Sequence, residues 1–238
     1  MLTLVKRIFK DNIGIFVYVY LIQIVLRILK SLVDDAVILK TVYGLWIMIV
    51  ATLLVFYSTY NLYRLVYTRQ NFFYYTLKYS LSQVLLVAAS VQLVLNFVFY
   101  LTYCETNLTE VGGKFLSLAS YFMLVTLLLY VTRAFKYKKI GRNVFLLSLV
   151  FLLGSYATFY YNVIKDRVGD RAFGIGFTTD SVKDGIDHVY MNIIPTYLVN
   201  IKERDLNFLM TTTNVINIFI ITVGLLMYIA IRKIKINW

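Results

Sequence analysis

Proline, cysteine, histidine and acidic residues are all scarce in this chain, and each scarcity closes off a class of protein. The single cysteine, Cys104, excludes a disulfide framework and a cysteine-rich metal site. The single histidine, His188, has no second histidine or cysteine at ligand spacing, so it reads as structural rather than as a metal ligand. Asp34 and Asp35 are adjacent in a short connection and read as a solvated pair. Ser155 in LLGSYAT lies in an apolar run and lacks the second glycine of a nucleophile elbow. Gly112 and Gly113 precede Lys114, but the earlier glycine and the following Ser or Thr of a phosphate-binding loop are missing. Asn107, Leu108 and Thr109 match only the three-residue glycosylation acceptor. No catalytic constellation emerges, and the expectation is a chain that is not itself an enzyme and holds no cofactor or metal.

Apolar residues are abundant: 60% of the chain is hydrophobic, 17% is aromatic, and the mean hydropathy is +0.74. That balance belongs to a membrane protein rather than a soluble domain. A span needs about 20 apolar residues. Six runs qualify, at residues 13–29, 37–57, 81–103, 115–131, 144–161 and 215–231. The fold class predicted is therefore an all-α membrane protein, a single transmembrane domain over 1–238 with six transmembrane helices.

Three further segments complete the plan. Residues 1–12, MLTLVKRIFKDN, read as an N-terminal interfacial helix, with Leu2, Val5, Ile8 and Phe9 on one face and Lys6, Arg7 and Lys10 on the other. No A-x-A-like site follows it, so no cleaved leader is expected. Residues 58–80 form a basic, aromatic hinge whose 60–80 stretch contains Arg64, Arg69 and Lys78 and no acid. Residues 162–212 mix both charges and read as an outer helical segment between spans five and six.

The net charge of +12 is distributed unevenly. The segments grouped with the termini hold fourteen basic residues against one acid, Asp11, while the opposite segments hold ten against eleven. Basic residues stay on the cytoplasmic side of short loops. Both termini and the hinge are thus predicted cytoplasmic, with 162–212 outside. Apart from terminal residues such as Arg27 and Lys40, the spans carry no ionisable side chain, which argues against an independent proton- or ion-coupled pump. In the third span Ser82, Ala89, Gln92 and Asn96 make one side small or polar. Such a stripe serves helix packing or lines a translocation path, and the sequence leaves both open.

This layout resembles the permease subunit of the type-two ATP-binding-cassette exporters. The opening MLTLVKRIFKDN is also similar to that family's usual start. The resemblance implies that the hinge, YTRQNFFYYTLKYSLSQ, carries a coupling helix that docks a separate ATPase subunit. Carried over, the partner-binding residues are Arg69, Gln70, Asn71, Phe72 and Phe73, with Arg64 beside them. ATP and magnesium would then belong to the partner chain. The partners implied are that ATPase, a second permease in a homodimer or heterodimer, and the lipid of a bacterial cytoplasmic membrane, with no nucleic acid. The cargo expected is hydrophobic or amphipathic, peptide or lipid-like, for antimicrobial-peptide export or self-protection. The competing reading is a non-transporting immunity or sensor protein that binds its ligand through 162–212. An intramembrane enzyme would need paired acids, a His/Cys cluster or an activated serine at depth, and the spans supply none.

Overall fold

Long apolar stretches without proline propagate as helix, because each added residue contributes one backbone hydrogen bond. The computed structural model describes residues 2–32, 37–68, 79–102, 108–135, 137–168 and 203–233. Among these the regular elements are all helical: α1 (Leu2–Leu32), α2 (Val37–Tyr67), α3 (Leu81–Leu101), α4 (Leu108–Arg133), α5 (Lys138–Val168) and α6 (Glu203–Lys233). Four of their apolar stretches are long enough to cross a membrane: Leu2–Leu29, Ile49–Tyr67, Leu81–Leu101 and Val111–Arg133. A shorter one, Asn214–Ala230, lies in α6.

Several boundaries differ from the sequence reading. No break separates an interfacial segment from the first span, since α1 runs unbroken through Asn12. Its first turns bury Leu4 and Ile8, spaced four apart, while Leu2 and Phe9 are exposed. Nothing between Lys10 and Ile13 stops a helix, and Gly14 stands in open space. Helix α2 likewise continues past Tyr57, so the first part of the expected hinge is helical. Leu62, Leu65 and Val66 keep its core face apolar there. The mixed-charge segment also shortens from both sides, because α5 reaches Val168 and α6 begins at Glu203. The rest of 162–212 lies outside the described residues.

Helix α3 begins where its chemistry dictates. Ser80 is the N-cap: its hydroxyl accepts from the Gln83 N–H at 3.3 Å, and the Gln83 Oε1 accepts from the Ser80 N–H at 3.0 Å. This reciprocal box satisfies two donors that a helix start otherwise leaves open.

Packing fixes the direction of each helix. Asn12 meets Asn61, and Gln23 meets Tyr43 and Trp46, so α1 and α2 are antiparallel. Tyr20 reaches the Leu95 carbonyl and Arg27 that of Thr102, so α1 and α3 run parallel. Thr59 pairs with Tyr121 and Tyr67 with Thr132, which sets α2 parallel to α4. Helix α4 is central, packing against α2, α3, α5 and α6. The buried core gathers Phe16, Leu54, Leu62, Leu85, Phe99, Tyr121, Phe122 and Phe145. One end of the bundle therefore collects the starts of α1, α3 and α5 with the ends of α2 and α4. The described charges at that end include Lys6, Arg7, Lys10, Arg64, Arg133, Lys138, Lys139 and Arg142, with Asp11 beside Arg7 at 3.8 Å.

Two glycines permit close approach. A Cβ on Gly141 would stand 2.3 Å from the Thr132 carbonyl oxygen, and one on Gly224 would stand 2.5 Å from Met123 Cγ. The first obstacle is backbone and the second a flexible side chain. Gly141→Ala is therefore expected to lower stability by roughly 1–3 kcal/mol, and Gly224→Ala by less. Gly112, with nothing within 4 Å of a built Cβ, is the control. Gly112→Ala should be neutral or stabilising by about 0.5–1 kcal/mol. Thermal unfolding in a single detergent gives the order; a Gly141→Ala protein as stable as the parent would contradict the close contact.

Candidate functional site

Amide side chains inside an apolar bundle are costly unless each finds a partner. Here they find one another. Asn12 of α1 accepts at its Oδ1 from Asn61 Nδ2 of α2 at 2.7 Å and from Gln92 Nε2 of α3 at 2.9 Å. Its own Nδ2 donates to the Ile8 carbonyl at 2.7 Å. One turn along α3, Asn96 Nδ2 donates to Ser58 Oγ at 2.7 Å and to the Gln92 carbonyl at 2.8 Å. Ser58 in turn donates to the Leu54 carbonyl at 2.7 Å. Beside it, Thr59 Oγ1 and Tyr121 Oη lie 2.8 Å apart and extend the seam to α4. The seam thus joins four helices. Gln92 is 1% exposed, and its Oε1, alone among these atoms, is buried without a hydrogen-bond partner among the described residues.

The four residues singled out on α3 all belong to this interior. Ser82, Ala89, Gln92 and Asn96 are buried. Gln92 and Asn96 join the seam, whereas Ser82 Oγ sits 2.9 Å from the Ser80 hydroxyl at the helix start. Gln92 and Asn96 thus join α3 to α1 and to α2. Of the partner-binding candidates, Arg64 stands in the last turns of α2 with its guanidinium carbon 5.7 Å from the centre of the Tyr60 ring. Arg69, Gln70, Asn71, Phe72 and Phe73 lie outside the described residues.

At the basic end, aromatic rings tie α2 to α5. Tyr63 stacks on Phe145 at 5.8 Å, and Tyr67 lies 5.1 Å from Tyr63. The Tyr67 hydroxyl donates to Thr132 Oγ1 at 2.8 Å, and Thr132 donates to the Leu128 carbonyl at 2.6 Å. A second polar contact joins α4 to α6, where Ser120 Oγ lies 2.8 Å from Asn217 Oδ1. The buried Asn217 Nδ2 has no hydrogen-bond partner among the described residues.

Sequence reading missed Asn12, Asn61, Tyr121 and Asn217. Tyr121 and Asn217 stand as polar groups within apolar runs, whereas Asn12, beside Lys10 and Asp11, and Asn61, among tyrosines, carry no local sign of burial. Two charged residues make contacts that the sequence does not announce. Arg27, at the end of a span, donates to the Thr102 carbonyl at 2.6 Å. Lys114, just before the fourth apolar run, is 4% exposed in α4 with its Nζ 5.7 Å from the Tyr100 ring centre. Among the described residues no three His, Cys, Asp or Glu side chains are grouped to hold a metal.

No protein-family model, curated protein or solved structure matches the chain. Its class follows from its own helices: among the described residues the regular elements are all helical, and four stretches are long and apolar enough to cross a membrane, which supports a membrane protein. The chemistry open to the seam is hydrogen bonding.

Removing different members of the seam should have unequal effects. Asn12→Ala leaves the Asn61 and Gln92 amides without their shared acceptor and is expected to cost roughly 1–2 kcal/mol. Gln92→Leu removes one bond together with the unpaired oxygen, and should cost less than Asn12→Ala. Unfolding of both variants in the same detergent measures the difference. Equal losses, or the reverse order, would contradict the assigned network.

Proposed function

We propose that the chain is the membrane-spanning permease subunit of an ATP-driven exporter, crossing the cytoplasmic membrane six times with both termini inside. The observation that carries this reading is that α2 ends, at Tyr67, and α3 begins, at Leu81, at the same basic end of the bundle, and those two helices share the Asn96–Ser58 contact and, through Asn12, the rest of the seam. A displacement applied at that end has two unbroken helices through which to reach the bundle interior. That is the mechanical arrangement a coupling element requires. The charge asymmetry supports the same orientation, because basic residues are retained on the cytoplasmic side.

In this reading Arg69, Gln70, Asn71, Phe72 and Phe73 dock a separate ATPase, with Arg64 behind them at the end of α2. Arginines fit partner carboxylates bidentately, and the aromatic rings bury area against a groove. A second permease, a copy or a sister chain, completes the transporter. The path for a hydrophobic or amphipathic cargo then opens where helices of the pair separate, with Gln92 and Asn96 exposed to it only if the seam parts.

Affinity purification of the tagged full chain from membranes tests the proposal. The expected result is a co-purifying ATPase whose hydrolysis follows the complex, lost on combining Arg69→Glu with Phe72→Ala. Stable protein that carries no ATPase across several detergents would overturn it and favour the non-transporting immunity or sensor protein.

A further inference from the structure

The outward face of α2 changes character along its length. Asn61 turns toward α1 and Tyr63 toward α5, so the strip between them faces away from the core. Residues 53, 56, 60 and 64 recur at helical spacing along that strip. Leu53 is 59% exposed, Phe56 41% and Tyr60 54%. The strip is aliphatic, then aromatic, and it ends on Arg64 with its guanidinium over the Tyr60 ring at 5.7 Å. This order reproduces the profile of a single lipid: an acyl chain against Leu53 and Phe56, the glycerol region at the Tyr60 hydroxyl, and a headgroup at Arg64.

Charge selects the headgroup. Exposed Lys138, Lys139 and Arg142 begin α5, the helix against which Tyr63 and Tyr67 pack, and exposed Lys6 and Lys10 begin α1 on the other flank. The one described acid at this end, Asp11, lies 3.8 Å from Arg7. A planar guanidinium held over a ring presents its N–H edge to a phosphate, and a zwitterionic headgroup would bring a cation into the same field. We propose that the strip Leu53–Phe56–Tyr60–Arg64 of α2 is a binding site for an anionic phospholipid, seated between the starts of α1 and α5. The site stands independently of any ATPase partner and of the direction of transport.

The test uses the purified full chain in a neutral detergent, titrated with phosphatidylglycerol or phosphatidylcholine of identical acyl chains. Native mass spectrometry counts retained lipid, and thermal unfolding reads its effect. Phosphatidylglycerol should be retained and should raise the melting temperature, with phosphatidylcholine much weaker. Arg64→Gln should weaken phosphatidylglycerol binding about fivefold, the factor equivalent to about 1 kcal/mol for one basic residue at an anionic headgroup. Arg64→Lys keeps the charge without the planar fork and should fall between. Tyr60→Leu gives an independent reading of the strip, with an expected loss smaller than that of Arg64→Gln. Arg27→Gln, at the opposite end, should bind as the parent does. Equal retention of the two lipids would overturn the site, as would full binding by Arg64→Gln. So would a melting shift of the same size from soluble glycerol 1-phosphate, which carries the phosphate without the acyl chains.

Discussion

The bundle depends on one constraint: a polar group placed among apolar helices must find its partner within the protein. Asn12 Oδ1 meets it for two neighbours at once, accepting the amides of Asn61 and Gln92. That single acceptor fixes the heights of α1, α2 and α3 relative to one another. Asn96 and Ser58 repeat the arrangement one turn further along, and Thr59 with Tyr121 brings in α4. Apolar packing alone specifies such heights weakly, because lipid is as good a solvent for leucine as another helix is. The amides supply the register.

Close approach and aromatic stacking complete the assembly around α4. Gly141 lets the start of α5 lie against the Thr132 carbonyl, and Gly224 lets α6 lie against Met123. At the same end Tyr63, Tyr67 and Phe145 lock α2 to α5. The outer faces of α1, α5 and α6 remain apolar, with Tyr18, Phe151 and Phe219 among the most exposed side chains. For a protein in lipid this is the ordinary outcome, since the bilayer covers what the chain does not. The permease reading rests on α2 ending and α3 beginning at the same basic end of this frame.

Much of the frame was legible in the sequence, and the failures share a cause. The third run, 81–103, matches α3 closely because it is bounded by polar residues at both ends, whereas α4 begins at Leu108, seven residues before the fourth run. The start at Ser80 was readable from its Ser-x-x-Gln spacing. Hydropathy, by contrast, ends a span at the first tyrosines and asparagines, although neither residue stops a helix. So α2 ran on through Tyr60, Asn61 and Arg64, and α1 ran without a break from the 1–12 segment into its apolar run. Pairings were the least legible. That Asn12 would meet Gln92, eighty residues away, follows from three-dimensional register and from no local pattern. The burial of Lys114 was not legible for a similar reason, since the Tyr100 ring that its Nζ approaches belongs to a neighbouring helix.

The central claim is that this bundle crosses a membrane with its basic end in the cytoplasm. Single-cysteine labelling in intact cells tests it most directly, starting from a Cys104→Ser background. Thr3→Cys reports the basic end at the start of α1, and Ser31→Cys reports the other end of the same helix. An impermeant maleimide should label Ser31→Cys from outside and should label Thr3→Cys only after the cells are opened. Labelling of Thr3→Cys from outside, with Ser31→Cys protected, would reverse the orientation. Labelling of both positions from the same side would mean that α1 does not cross.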